Sequence, residues 1–173
     1  MKKIIFLFFI LVSSCNETKK ASEIIGSNYH LTESDFVIIP YEKDMWTIYE
    51  NAKPTGITQA ELNEIEDLLI LLVEDNNQIQ KKLLIKHNKE FPKYKREKTG
   101  RELNLIKYKR QYVPVINENG EKEVWINFFC SDYESSNWKK QIVKVFDGGN
   151  CLWNVKVSLT KKECYELGIN SSA

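Results

Sequence analysis

Thr58-Gln59-Ala60-Glu61-Leu62-Asn63-Glu64-Ile65-Glu66-Asp67-Leu68-Leu69 opens the one long periodic segment of this chain. Thr58 with Glu61 three residues on makes a capping box, each side chain meeting the other's backbone N–H, and Ile57 is placed to staple against Leu62. A helix therefore starts here. Leu62, Ile65, Leu69, Leu72, Asn76, Ile79 and Leu83 follow at alternating spacings of three and four, so one stripe continues through the polar Asp75-Asn76-Asn77 patch. The helix is expected to run to about Glu90 and to stop at Phe91-Pro92, because proline disfavours helical geometry in the residue before it. The stripe is sevenfold-like for only a few turns, which favours a helix packed on a core over a coiled coil.

After a polar stretch containing Thr99-Gly100 the period changes from helical to alternating. Val124, Ile126, Phe128 and Cys130 alternate with Trp125, Asn127 and Phe129, and Ile106 to Ile116 is rich in β-formers. Asn119-Gly120 lies between them, so the two runs read as a hairpin. Pro114 lacks an N–H to give a ladder, which places it at an edge or a bulge. A third strand is expected over about Lys140 to Phe146, with Asp147-Gly148-Gly149-Asn150 turning into a fourth over Cys151 to Leu159. In that fourth run Trp153, Val155, Val157 and Leu159 share a face that should pack on the helix. Thr160 with Glu163 repeats the capping-box pattern, predicting a short C-terminal helix to about Leu167 that ends at Gly168. Upstream, Phe36-Val37-Ile38-Ile39-Pro40 and Trp46-Thr47-Ile48-Tyr49 read as a small hairpin. The order defines an α+β domain: a long helix packed on an antiparallel β-meander of about four strands, with a short C-terminal helix, a two-layer arrangement analogous to that of cystatins.

The first residues carry a different message. Lys2 and Lys3 precede an apolar run from Ile4 to Val12, about half the roughly 20 residues a membrane span needs, followed by small residues abutting a cysteine. Val12-Ser13-Ser14-Cys15 has the form of a bacterial lipobox. Residues 1–14 then read as a lipoprotein signal peptide, Cys15 as the lipidated N-terminus, 15–32 as a flexible tether and 33–173 as a single domain. This implies a protein of the cell envelope, lipid-anchored to a membrane. Asn16 is not the aspartate that enteric bacteria use for inner-membrane retention, which points to the outer membrane.

The whole chain has 25 basic and 24 acidic residues, which become 23 against 24 once Lys2 and Lys3 are removed, so overall charge implies no particular partner. Its distribution is uneven. From Lys81 to Arg110 twelve Lys or Arg face only Glu90, Glu97 and Glu102. Lys93, Lys95, Arg96, Lys98 and Arg101 flank Phe91 and Tyr94, a combination suited to an anionic surface such as lipid head groups or envelope polysaccharide. Against this stands the plainer reading of a solvated helix end and loop. Nucleic acid is not expected as a partner. No zinc-type spacing, redox Cys-x-x-Cys pair, nucleophile–base set or phosphate-cradling loop occurs, and neither metal nor cofactor is expected. His87 with Glu90 three residues on is an acid–base pair in form only, as such pairs are commonplace on solvated helix faces. Cys130, Cys151 and Cys164 leave at least one thiol unpaired. With a strand between them, Cys130 and Cys151 fall at opposite strand ends, so Cys130 with Cys164 is the easier pair; cysteine is also a good buried apolar residue.

Tyr108-Lys109-Arg110-Gln111-Tyr112-Val113-Pro114-Val115, Gly120-Glu121-Lys122-Glu123-Val124-Trp125 and Asp147-Gly148-Gly149-Asn150-Cys151 resemble a group of uncharacterised lipoproteins from Bacteroidetes. The resemblance spans about Phe36 to Ala173 and includes the terminal Asn170-x-x-Ala173 pattern, with Ser171 in place of the usual glycine. It implies an anchored lipoprotein with a long helix before its sheet, and carries no activity or catalytic residues. The expectation is a non-enzymatic binding or interaction domain. The alternatives are an immunity-type lipoprotein that blocks a toxin, and an envelope enzyme whose site is assembled from dispersed residues.

Overall fold

The computed structural model describes residues 31–45, 47–106, 108–130 and 136–171. Cys15 and its lipobox, most of the tether, Trp46 and Lys107 lie outside the described residues. The domain is mixed α+β, one long helix on a sheet of six mostly antiparallel strands. The strands are β1 (Phe36–Ile38), β2 (Lys53–Pro54), β3 (Tyr108–Ile116), β4 (Lys122–Cys130), β5 (Leu152–Ser158) and β6 (Glu163–Ile169), and helix α1 (Gln59–Glu90) falls between β2 and β3. The sheet order is β1-β3-β4-β5-β6, with β2 pairing on β3 beside β1.

α1 starts and stops as its sequence dictates. The Thr58 hydroxyl accepts from the Glu61 N–H, the Glu61 carboxylate accepts from the Thr58 N–H, and Phe91 caps the far end. Its buried residues are Leu62, Ile65, Leu69, Val73, Asn76 and Gln80. The expected stripe is therefore correct through Leu69 and at Asn76. It drifts at Leu72, where Val73 takes the buried position, and fails at Ile79 and Leu83, which are 54% and 50% exposed. The reason is length. Beyond Gln80 the helix has run off the end of the sheet.

The helix-facing side of the sheet supplies the main core, with Tyr112, Val124, Ile126, Phe128, Trp153, Val155, Val157 and Leu159 against Leu62, Ile65, Leu69 and Val73. Phe128 stacks on Trp153 with ring centroids 3.6 Å apart, and Tyr108 meets both edge-on. One charge enters this core. Arg110 is fully buried and pairs with Glu66 of α1, which also accepts a hydrogen bond from the Tyr112 hydroxyl at 2.7 Å. A second Arg110 nitrogen donates to the Leu105 carbonyl at 2.9 Å, and the guanidinium lies 5.0 Å from the centre of the Phe128 ring. Burying an ion pair is stabilising only when such further bonds complete it.

Five expectations need correction. The expected strand over Lys140 to Phe146 is absent, because β4 pairs directly with β5, from Glu123 with Ser158 to Phe129 with Leu152, and leaves no edge for it. Residues 136–147 instead cross the second face of the sheet without regular pairing. Two sheet amides hold that crossing chain: the Gln111 Nε2 donates to the Trp138 and Gln141 carbonyls, its Oε1 accepts from the Val143 N–H, and Asn127 donates to both Gln111 and the Val143 carbonyl. Ile142, Val143 and Val145 pack beneath on the second face, so their apolar spacing serves burial without a strand.

The same pairing explains the disulfide. Cys130 lies next to Phe129 and Cys151 next to Leu152, so both fall at one end of adjacent strands, and they are bonded, with Cα atoms 5.1 Å apart. Among the described residues Cys164 is the free cysteine, and burial pushes its thiol up to about 11.

The expected C-terminal helix is β6. Thr160 accepts from the Lys122 N–H at 3.1 Å and caps no helix, and the chain turns at Lys162, where φ is 59°. Glu163 to Ile169 then pair with β5, and Gly168 sits opposite Asn154, where a Cβ would come 3.2 Å from the Asn154 Oδ1. That glycine answers a close approach between strands. The upstream hairpin is also not formed. Phe36–Ile38 pairs parallel to Arg110–Tyr112, and Lys43–Met45 form a 3₁₀ turn. Pro114 is at neither an outer edge nor a bulge, since it pairs in register with Val124 in an inner strand; its missing N–H is accommodated in the gap between β1, which pairs at Arg110 to Tyr112, and β2, which pairs at Val115 and Ile116.

Leu69→Ala removes a side chain buried on all sides and is expected to cost about 2 to 5 kcal/mol, whereas Ile79→Ala should change stability little. Chemical denaturation of both variants checks this, and equal midpoints would contradict a core that ends before Ile79.

Candidate functional site

Where α1 passes the sheet it needs a different partner, and the chain returning from Pro92 to Leu105 provides it. The helix presents amides to this chain. Asn76 donates to the Arg101 carbonyl (3.0 Å), and Asn77 both donates to and accepts from Leu103 (2.8 Å each). Gln80 meets the Thr99 hydroxyl at 2.9 Å, and the His87 Nε2 meets the Tyr94 carbonyl at 3.1 Å. Asn88 brackets the Arg96 backbone, donating to its carbonyl (2.9 Å) and accepting from its N–H (2.8 Å). The polar patch inside the helix is thus a row of side chains that satisfies an otherwise unpaired backbone.

The turn at Thr99-Gly100 is fixed by Glu102. Burial pushes its carboxyl up, but donors from the Thr99 N–H (2.7 Å), the Thr99 hydroxyl and the Gly100 N–H (2.9 Å) outweigh burial and hold it below its ordinary value. Gly100 has φ 84°, a left-handed geometry that favours glycine. The loop is therefore tied to the helix along its length.

The basic residues sit on this loop. Lys93, Lys95, Arg96 and Lys98 are all exposed and lie together just past the helix C-terminus, where positive charge also complements the helix dipole. Arg101 is exposed but lies further back, its guanidinium 3.5 Å from the Ile169 carbonyl at the end of β6. Phe91 and Tyr94 are exposed beside the lysines, Tyr94 by 75%. Lys81, Lys82, Lys86 and Lys89 add exposed charge on the helix, of which Lys86 pairs with Glu90 at 3.9 Å. The last members of the basic run leave the patch. Lys109 bonds Ser34 and Asp35, and Arg110 is in the core. Sequence counting treats all twelve alike, although Arg110 alternates with Tyr108 and Tyr112, two residues to either side, and those aromatics on its face of the strand are a signal that it faces inward.

His87 and Glu90 do not meet as an acid–base pair: His87 bonds the Tyr94 carbonyl and packs at a tilt against Phe91, ring centroids 5.1 Å apart. The glycine-rich stretch is a turn, as expected, with Asn150 accepting from the Tyr108 hydroxyl (2.6 Å) and donating to the Glu102 carbonyl (2.7 Å). Elsewhere a groove of about 530 Å³ beside Ile39 and Ile48 is lined by both signs of charge, Glu42 and Asp44 with Lys140 and Lys144, together with Met45 and Ile142.

The shifted titratable groups share a direction. Burial raises the phenols of Tyr49, Tyr108, Tyr112 and Tyr165 and the Cys164 thiol. Bonds from Thr32 to Asp35, from Lys122 to Glu61 and from Lys161 to Glu121 lower those carboxyls. Each of these shifts moves its group away from neutral pH, the opposite of what general acid–base work needs. Among the described residues no group of three His, Cys, Asp or Glu is placed to hold a metal ion, and no helix is long and apolar enough to cross a membrane. Comparison with protein families, curated proteins and solved structures finds no match to this chain.

Glu102 supplies a test of the loop. Because its folded value lies below the ordinary 4.5, its stabilisation is present above that pH and is lost as pH falls through the folded value. Glu102→Gln should therefore flatten the acid limb of a plot of melting temperature against pH. An acid limb as steep as the parent's would contradict the Thr99–Glu102 bonds.

Proposed function

We propose that this chain is a lipid-anchored protein of the cell envelope, held through Cys15, whose folded domain binds an anionic partner with the loop at the end of α1. The carrying observation is that Lys93, Lys95, Arg96 and Lys98 stand exposed together on an ordered loop beside Phe91 and Tyr94. A loop tied down by Asn76, Asn77, Gln80, His87 and Asn88 presents its charges without first having to be ordered, which lowers the cost of binding. Each lysine or arginine close to an anionic surface contributes roughly 1 kcal/mol, and the attraction is screened beyond about 10 Å at 0.1 M salt. The lipobox form of Val12-Ser13-Ser14-Cys15 and the resemblance to Bacteroidetes lipoproteins support the anchor and an outer-membrane address. The layout of a helix followed by a four-strand meander supports only an analogy with cystatins, which brings no function with it.

Two measurements test this. Cys15→Ser should move the protein out of the membrane fraction, and undiminished membrane fractionation would contradict the anchor. On a dextran sulfate column the parent should be retained at low salt and elute as salt rises. The variant with Lys93, Lys95, Arg96 and Lys98 changed to glutamate should pass through with an unchanged circular dichroism spectrum. A parent that is not retained would make these charges a solvated loop and nothing more.

A further inference from the structure

The two ends of the domain are not equivalent. At one end lie the start of α1 and the β3–β4 and β5–β6 turns, tied to the helix by Lys122 to Glu61 (2.6 Å) and by the ion pair of Lys162 with Glu64. At the other end lie the start of β3, the ends of β4 and β6, and the disulfide. The chain arrives from its N-terminus at this second end: Thr32 bonds Asp35, the Asp35 carbonyl accepts from the Arg110 N–H (2.9 Å), and the Lys109 Nζ reaches the Ser34 carbonyl (2.9 Å). α1 runs toward the same end and beyond it. Its last buried residue is Gln80, so the residues after it project about 15 Å past the sheet and carry the basic loop at their tip. Thr32–Asp35, near the start of the described chain, and the basic tip therefore lie at one end of the molecule, with Glu61, Glu64, Glu121 and Glu163 at the other.

We propose that this tip docks on the anionic head groups of the same bilayer that holds the lipid on Cys15, with Lys93, Lys95, Arg96 and Lys98 at the phosphates and Phe91 and Tyr94 entering the interface. This rests on the proposed anchor and gives its anionic partner a chemical identity. Sixteen residues separate Cys15 from Thr32, at most about 55 Å of extended chain, which keeps the domain within reach of its own membrane. Aromatic side chains at head-group depth with cations beside them are the composition of an interfacial contact, where apolar burial and electrostatic attraction add. Two consequences follow. The domain stands upright with α1 steeply inclined to the membrane, and the groove beside Ile39–Ile48 is left clear of the bilayer.

The test uses the full lipidated protein on vesicles of phosphatidylcholine alone and of phosphatidylcholine with phosphatidylglycerol, with lysine acetylation read residue by residue by mass spectrometry. Lys53, at the far end of the sheet, is the internal reference. On anionic vesicles labelling of Lys93, Lys95 and Lys98 should fall several-fold relative to Lys53 and recover in 1 M salt, where the screening length is about 3 Å. On neutral vesicles it should not fall. Phe91→Ser with Tyr94→Ser should weaken the protection on anionic vesicles while leaving the circular dichroism unchanged. Equal labelling on both vesicles overturns the proposal, as does protection by a soluble acidic polysaccharide but not by anionic vesicles. The anchor is read separately, as flotation with neutral vesicles: protein that fails to float there yet is protected on anionic ones refutes the anchor and leaves the tip's affinity standing.

Discussion

A helix of 32 residues rises about 48 Å, whereas the nine-residue strands beneath it extend about 30 Å, and the rest of the molecule follows from that mismatch. The first half of α1 buries leucine, isoleucine and valine on the sheet and is held there by the Arg110–Glu66 pair. The second half has no sheet to lie on. An apolar stripe there would need a second core, so the face turned to the returning chain changes to Asn76, Gln80 and His87, and the chain from Pro92 to Leu105 lies along it through side-chain hydrogen bonds. The turn at Thr99-Gly100 and the bracketing of Arg96 by Asn88 are consequences. A loop bonded at so many points can hold like charges close together, because its backbone is not free to let them separate.

One strand pairing organises the other half of the fold. Because β4 lies directly against β5, Cys130 and Cys151 meet, and residues 136–147 are displaced onto the second face of the sheet. There Gln111 and Asn127, in the middle of their strands, supply donors and acceptors that a neighbouring strand would otherwise supply. Gln111 uses both its amide hydrogens and its carbonyl on that chain and on Asn127. Both faces of the sheet are thus covered, one by a helix and the other by irregular backbone held by two buried amides. Val113, Val115 and Phe129 on the second face are fully buried, consistent with a sheet that is not open to water on one side.

Much of α1 was legible because a capping box and a 3.6-residue period are local signals, and the β3–β4 hairpin because alternation flanks an Asn-Gly turn. The errors arise where local pattern and tertiary pairing compete. Thr160 with Glu163 has the form of a cap, but an open β5 edge and the tight fit of Gly168 against Asn154 favour a strand. Ile142, Val143 and Val145 have strand-like spacing, but no edge remained for them. The disulfide was misjudged for the same reason, since an imagined strand separated its cysteines. At the candidate site, the exposure of Lys93, Lys95, Arg96 and Lys98 was legible from polarity alone. That Asn76, Asn77 and Asn88 order the loop was not, because amides on a helix read as solvated surface until the chain they bond is known.

A basic, aromatic tip at the end where the described chain begins is a consequence of the projecting helix, and it depends on the order of that projection. Amide hydrogen exchange measured across 81–103 tests it most directly. The account predicts protection throughout Lys81–Glu90 and at the Arg96 and Leu103 amides, weaker than in β3 to β5. In the variant with Asn77→Ala and Asn88→Ala, that protection should be lost at Arg96 and Leu103 while the sheet is unaffected. Exchange in the parent at the rate of unstructured chain from Lys81 onward, or a variant indistinguishable from the parent, would contradict it.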